Sequence, residues 1–166
     1  MLLSLPGKRS RQTPAEPRPR GSLHLDDQLC FALYAASRSV TQLYRPLLEK
    51  LGLTYPQYLV MLVLWERGAT PVKGLADALQ LDYGTLSPLL KRLQAAGLIE
   101  RQRRAEDERS VLVTLTATGE RLRDKAGGIP QLIVDAYDLT AHDFEELQAT
   151  LRRLAESVTT TADSHA

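Results

Sequence analysis

Leu86, Leu89, Leu90 and Leu93 recur at i, i+3, i+4 and i+7, the spacing that gathers side chains on one face of an α-helix. The opposite face carries Ser87, Pro88, Lys91, Arg92 and Ala95, with Thr85 at its edge. Pro88 removes a backbone donor and crowds the Gly84 carbonyl, so the pattern predicts an irregular first turn or a helix start near Thr85. Upstream, Tyr55 to Arg67 (YPQYLVMLVLWER) is apolar nearly all round and predicts a buried helix, with Thr54 as cap, Pro56 in the first turn and Gly68 as stop. Thr70-Pro71 reads as extended, Val72 to Leu79 as a short amphipathic helix, and Leu81 to Gly84 as a turn. Downstream of Gly97, Leu98 to Arg103 alternates as a strand, Ala105 to Ser110 reads as a charged turn, and Val111 to Leu115 as a second strand. Thr116 caps a helix from about Ala117, which Gly127, Gly128 and Pro130 interrupt before it resumes to Tyr137. Thr140 with Asp143 opens a last helix to near Thr159, with an apolar stripe of Phe144, Leu147, Leu151, Leu154 and Val158.

The N-terminal stretch Leu25 to Leu48 reads as one long helix up to Pro46, with Asp26 and Asp27 placed as N-terminal acids against the positive end of its dipole. Cys30, Tyr34 and Tyr44 fall within about 80° of one another around that helix. Tyr44 nevertheless lies 14 residues beyond Cys30, roughly 21 Å along the axis. The two cannot meet within one subunit. They meet if two copies of the helix cross antiparallel near Ser37, where Ala35, Ala36 and Ser39 are small enough for a close approach. A bland alternative stands beside this: free cysteines are usually small core hydrophobes.

Helices followed by a hairpin with a charged tip predict a mainly α chain with a small β-hairpin, a winged helix-turn-helix. Both chain ends contribute helices to a dimerisation layer. The expected boundaries are a disordered basic tail over 1–22, a domain over 23–160 and a flexible tail over 161–166. Within the domain, 53–116 is the DNA-binding winged helix, while 23–50 and 117–160 are dimerisation helices.

Charge sharpens this reading. The formal net charge is +1, yet residues 1–22 carry five basic groups against Glu16, residues 91–109 six against four acids, and residues 135–166 seven acids against Arg152 and Arg153. A near-neutral total therefore does not exclude nucleic-acid binding; it makes any basic surface local. Small hydroxyls at the start of a helix and cations further on (Thr85, Ser87, Pro88, Lys91, Arg92) suit entry into a major groove by the N-terminal end. Arg101, Arg103, Arg104 and Arg109 are placed for phosphate or minor-groove contact, and Asp107 to orient an arginine. The partner predicted is double-stranded, pseudo-palindromic operator DNA. One cysteine excludes an internal disulfide and points to a reducing compartment, no apolar run approaches a membrane span, and a cytoplasmic location follows. No cofactor, metal or catalytic centre is expected.

DERSVLVTLT (Asp107 to Thr116) resembles the wing signature of the MarR family of dimeric winged-helix regulators, and the resemblance extends over about residues 24–160. LDDQLCFALYAASR, TYPQYLVMLVLWE, LDYGTLSPLLKRL and EDERSV are similar to its organic-hydroperoxide-sensing branch, the OhrR-type repressors. The resemblance implies a homodimeric repressor that leaves its operator when Cys30, the redox sensor, is oxidised by an organic hydroperoxide. It implies also that tyrosine hydroxyls support the sensor, Tyr34 and Tyr44 holding the sulfur across the dimer interface, with Tyr55 in the same set. Hydroxyls that donate to sulfur favour the thiolate that reacts with peroxide. With no second cysteine the chain resembles the one-cysteine type, whose sulfenic acid passes to a mixed disulfide with a low-molecular-weight thiol, a sulfenamide or overoxidation. Three other functions compete: a MarR-type regulator released by a non-covalent aromatic ligand, a thiol peroxidase, and a constitutive architectural DNA binder in which Cys30 is core filler. The second lacks a resolving cysteine, and its one arginine near Cys30 is Arg38, two turns along.

Overall fold

The computed structural model describes residues 22–104 and 107–163, with the side chains of 103, 104, 107–110 and 160–163 left aside. The expected basic tail lies outside the described residues except for Ser22. The chain divides into two compact units, Met1–Val40 and Thr41–Ala166, and the division falls within the first long helix.

In the first unit, a single 3-10 turn, Leu25–Asp27, precedes helix α1, Leu29–Glu49, which continues into the second unit. This corrects the single helix from Leu25. Gln28 is extended (ψ 113°), so Asp26 and Asp27 belong to the short turn, and the first turn of α1 holds no acid. Gln28 supplies the carbonyl that accepts from Phe31 and Ala32 N–H instead. At the other end the helix does not stop at Pro46 but runs through it to Glu49.

The second unit holds α2 (Tyr55–Arg67), β1 (Thr70–Pro71), α3 (Val72–Leu79), α4 (Tyr83–Ala95), β2 (Ile99–Arg104), β3 (Asp107–Leu115), α5 (Ala117–Ala126), α6 (Ile129–Ala136) and α7 (Ala141–Asp163). Local chemistry sets most boundaries. Gln57 Oε1 accepts from the Thr54 N–H at 2.8 Å and hydroxyl at 3.0 Å, fixing the start of α2. Gly68, at φ 71°, ends it in a conformation that side chains resist. The Thr116 hydroxyl accepts from Gly119 N–H at 3.1 Å, and the Thr140 hydroxyl from Asp143 N–H at 3.2 Å, capping α5 and α7 as the sequence predicts. The last helix outruns its expected end and takes in residues 161–163 of the expected tail.

The hydrophobic core joins α2, α3, α4 and the sheet, with Val60, Met61, Leu64, Leu75, Leu86, Leu90, Leu93, Ile99 and Val113 all at or below 1% exposure. Each such side chain contributes about 1.5–3 kcal/mol through burial, which makes this the rigid part that α4 is mounted on. The sheet has three antiparallel strands in the order β1-β3-β2, so the hairpin gains an edge strand from Thr70-Pro71. Pro71 has no N–H to leave unpaired at an edge. The expected turn over Ala105 to Ser110 is corrected from Asp107 on, where β3 begins and Arg104 pairs with Asp107, while Ala105 and Glu106 lie outside the described residues. Between that pair and Arg103↔Val111 the register shifts, leaving Glu108, Arg109 and Ser110 as an irregularity on one strand. Among the described residues no helix is long and apolar enough to cross a membrane.

Candidate nucleic-acid interface and thiol site

Helix α4 starts two residues before Thr85 and stays helical through Pro88. Asp82 is the reason. Its carboxylate accepts from Thr85 N–H and from the Thr85 hydroxyl, each at 2.8 Å, capping the helix from outside. These bonds, the hydroxyl's first, hold the Asp82 carboxyl below the usual carboxylate range. Thr85 therefore has its hydroxyl proton committed to the cap, and only its oxygen lone pairs face outward. Leu86, Leu89, Leu90 and Leu93 are buried, which turns Pro88, Lys91 and Arg92 to solvent and leaves Ser87 half-buried. Tyr83, 56% exposed in the first turn, stands on the same end and was not among the expected contacts. The Asp-x-x-Thr spacing of 82–85 carried the cap signal; nothing in the local pattern set Tyr83 apart.

The strands bring further cations close. Arg101 Nε donates to Gln94 Oε1 at 2.6 Å, bracing the base of the hairpin to the last turn of α4. Arg103, Arg104, Asp107 and Arg109 lie on β2 and β3, and their side chains are outside the described set. The arrangement offers a helix end with small polar groups, two exposed cations behind it and an antiparallel hairpin alongside, which is what a duplex groove and its flanking phosphates can accept.

The thiol lies elsewhere. Cys30 is exposed and is the second residue of α1, in the first turn of that helix. One turn on, Tyr34 is 56% exposed, and its hydroxyl accepts from Arg38 Nη1 at 2.9 Å. Cys30 is exposed in the single protomer and is not part of that protomer's buried core. Tyr44 and Tyr55 sit together in the second unit: their ring centroids are 4.7 Å apart, Tyr58 stands 5.9 Å from Tyr44, and Trp65 lies 6.2 Å from Tyr58. Burial, and then the neighbouring Tyr137, push the Tyr44 phenol well above its ordinary range; the same two causes raise Tyr55. Both hydroxyls thus remain protonated donors at any physiological pH. Tyr58 was within reach of sequence reasoning as the second tyrosine of YPQY. Tyr137 was not, because it reaches this cluster from the far end of α6.

The Transcriptional regulator SarA/Rot family matches residues 42–126. The chain is 48% identical over 136 residues, covering 82% of it and 92% of its relative, to the organic hydroperoxide resistance transcriptional regulator of Bacillus subtilis (strain 168). The crystal structure of AbfR of Staphylococcus epidermidis is similar at 38% identity and TM-score 0.63, over 80% of this chain and 94% of that one. Reduced AbfR bound to DNA is similar at 31% identity and TM-score 0.70, over 82% and 94%. With this winged-helix fold and these identities, the chain belongs to the MarR/SarA-type family of winged-helix transcriptional regulators, in its organic hydroperoxide resistance branch.

Proposed function

We propose that the protein is a homodimeric repressor that holds an operator while Cys30 is reduced and releases it after an organic hydroperoxide has oxidised that residue. The observation that carries this is the exposed Cys30, the single cysteine of the chain, in the first turn of α1. In the redox step the Cys30 thiolate attacks the terminal peroxide oxygen, the O–O bond breaks, and the sulfur takes the OH as sulfenic acid. The alkoxide leaves and takes a proton from water. Sulfur loses two electrons and the peroxide gains them. With no second cysteine, a low-molecular-weight thiol then condenses with the sulfenic acid, giving a mixed disulfide and water. Because 14 residues of α1 separate Cys30 from Tyr44, we assign the supporting hydroxyls of Tyr44 and Tyr55 to the opposite subunit, but Tyr34, one turn from Cys30 on the same helix, to its own subunit instead of across the interface as the resemblance implies.

On the DNA side, α4 enters the major groove with Thr85, Ser87 and Pro88 towards base edges and Lys91 and Arg92 towards phosphates. Arg101, Arg103, Arg104 and Arg109 of the hairpin follow the backbone or minor groove, with Asp107 orienting an arginine. Two-fold symmetry calls for a pseudo-palindromic operator. The test is operator binding by the wild type and Cys30→Ser, with and without cumene hydroperoxide and then a reducing thiol. Wild type should be released and recovered, and Cys30→Ser should bind equally well and ignore the peroxide. Release of the mutant by peroxide would sink the assignment.

A further inference from the structure

Cys30, Tyr34 and Arg38 follow one another at i, i+4 and i+8 on α1, so all three line one face, with about 5–6 Å between successive Cβ atoms. Arg38 grips Tyr34 at two points. Its Nη1 donates to the phenol oxygen at 2.9 Å, and its Cζ stands 5.6 Å from the ring centroid. An exposed tyrosine would otherwise exchange among rotamers; a bond at the rim and a cation by the ring hold it in one. A phenol oxygen offers acceptor lone pairs and one proton, whereas a guanidinium has only donors. Arg38 therefore occupies a lone pair, polarises the O–H, and leaves that proton as the free function of the group. The bland account is that such a pair adds a few tenths of a kcal/mol to the helix. That account does not use the third residue on the face.

We infer that Arg38 is a positioning residue for the oxidation of Cys30, acting through Tyr34. It fixes the ring one turn from the sulfur, where the polarised O–H donates to the peroxide oxygen that becomes the alkoxide as the O–O bond breaks. Tyr34 keeps its proton, and the alkoxide is protonated by water. A donor aimed at the atom where charge develops accelerates a step more than one that binds the ground state. The inference rests on the sensor reading of Cys30 given above.

The test uses the full-length reduced protein with excess cumene hydroperoxide, trapping the sulfenic acid with dimedone and measuring the second-order rate of its formation by mass spectrometry. Arg38→Ala should react about fivefold more slowly, the upper end of what an exposed charged pair supplies. Arg38→Lys should recover most of the rate, since an ammonium also donates to a phenol. Adding Arg38→Ala to Tyr34→Phe should change nothing further, which a purely helix-stabilising arginine would not produce. Operator binding by each reduced variant reports that it is folded. A rate for Arg38→Ala within twofold of wild type, or an equal loss in the Tyr34→Phe background, overturns the role of Arg38 while leaving the sensor intact. Wild-type protein that forms no sulfenic acid overturns the sensor reading and this inference with it.

Discussion

Single side chains in this protein are held by a few strong constraints. Tyr44, Tyr55, Tyr58 and Tyr137 all have phenols raised above the ordinary value of 10.0, by burial first in every case. The folded state thus holds these protons more tightly than the unfolded chain does. Their contribution to stability is whole below about pH 10 and is eroded as pH climbs from there towards the raised values. Urea unfolding followed from pH 8 to 11.5 should show stability falling above pH 10, and Tyr44→Phe should flatten that fall. An unchanged slope in the mutant would mean that Tyr44 titrates normally. Gly119 is constrained by space: a Cβ there would collide with the Leu98 carbonyl oxygen, while its own carbonyl accepts from buried Trp65 Nε1 at 3.0 Å. Gly→Ala inside a helix normally gains up to about 1 kcal/mol. Here overpacking outweighs that, and Gly119→Ala should cost about 2–3 kcal/mol, read as a lower urea midpoint at constant slope.

Among the elements, α4 and the hairpin show how a boundary changes a role. Pro88 argues for a late helix start, yet the Asp82 cap stabilises enough of the first turn for the helix to begin at Tyr83. The result carries Lys91 and Arg92 outward on a rigid leucine-packed support. Substituting either by Ala should weaken operator binding uniformly across sequences and lower the slope of log K against log salt by about 1 in magnitude. A salt titration with an unchanged slope would remove that residue from the phosphate contacts. Arg101 is a different case, because its bond to Gln94 makes it a brace of the hairpin whatever else it touches.

At the scale of the molecule, the helices outside the winged core are left with apolar surface: Leu132 is 56% exposed on α6, and Leu147, Leu151 and Val158 are 49%, 40% and 59% exposed on α7. The stripe predicted for the last helix is thus present and largely uncovered in one protomer. A second copy is the occupant our proposed repressor requires. Leu147→Glu with Leu151→Glu should convert a dimer into a monomer by light scattering and abolish high-affinity binding to a two-half-site operator. A double mutant that stays dimeric would place the interface elsewhere.

Periodicity sufficed for α2 and α4 because a leucine stripe or an all-apolar run can be buried in only one way, and for α5 and α7 the capping threonines announced the starts. Cys30 and Tyr34 share a face of α1 through helical spacing alone, which the structure keeps. Asp107 to Ser110 read as turn by composition yet belong to β3, because charged residues can pair as strand when a neighbouring strand supplies the hydrogen bonds, and composition says nothing of register. Contacts between residues remote in sequence were beyond local pattern altogether: Gly119 under Leu98 and Trp65, Tyr137 among the tyrosines, β1 on β3. The sequence by itself determined which faces are apolar and which side chains share them. Tertiary structure alone decided which backbone may approach which, because hydrogen-bond partners and close packing across the fold depend on where the chain returns.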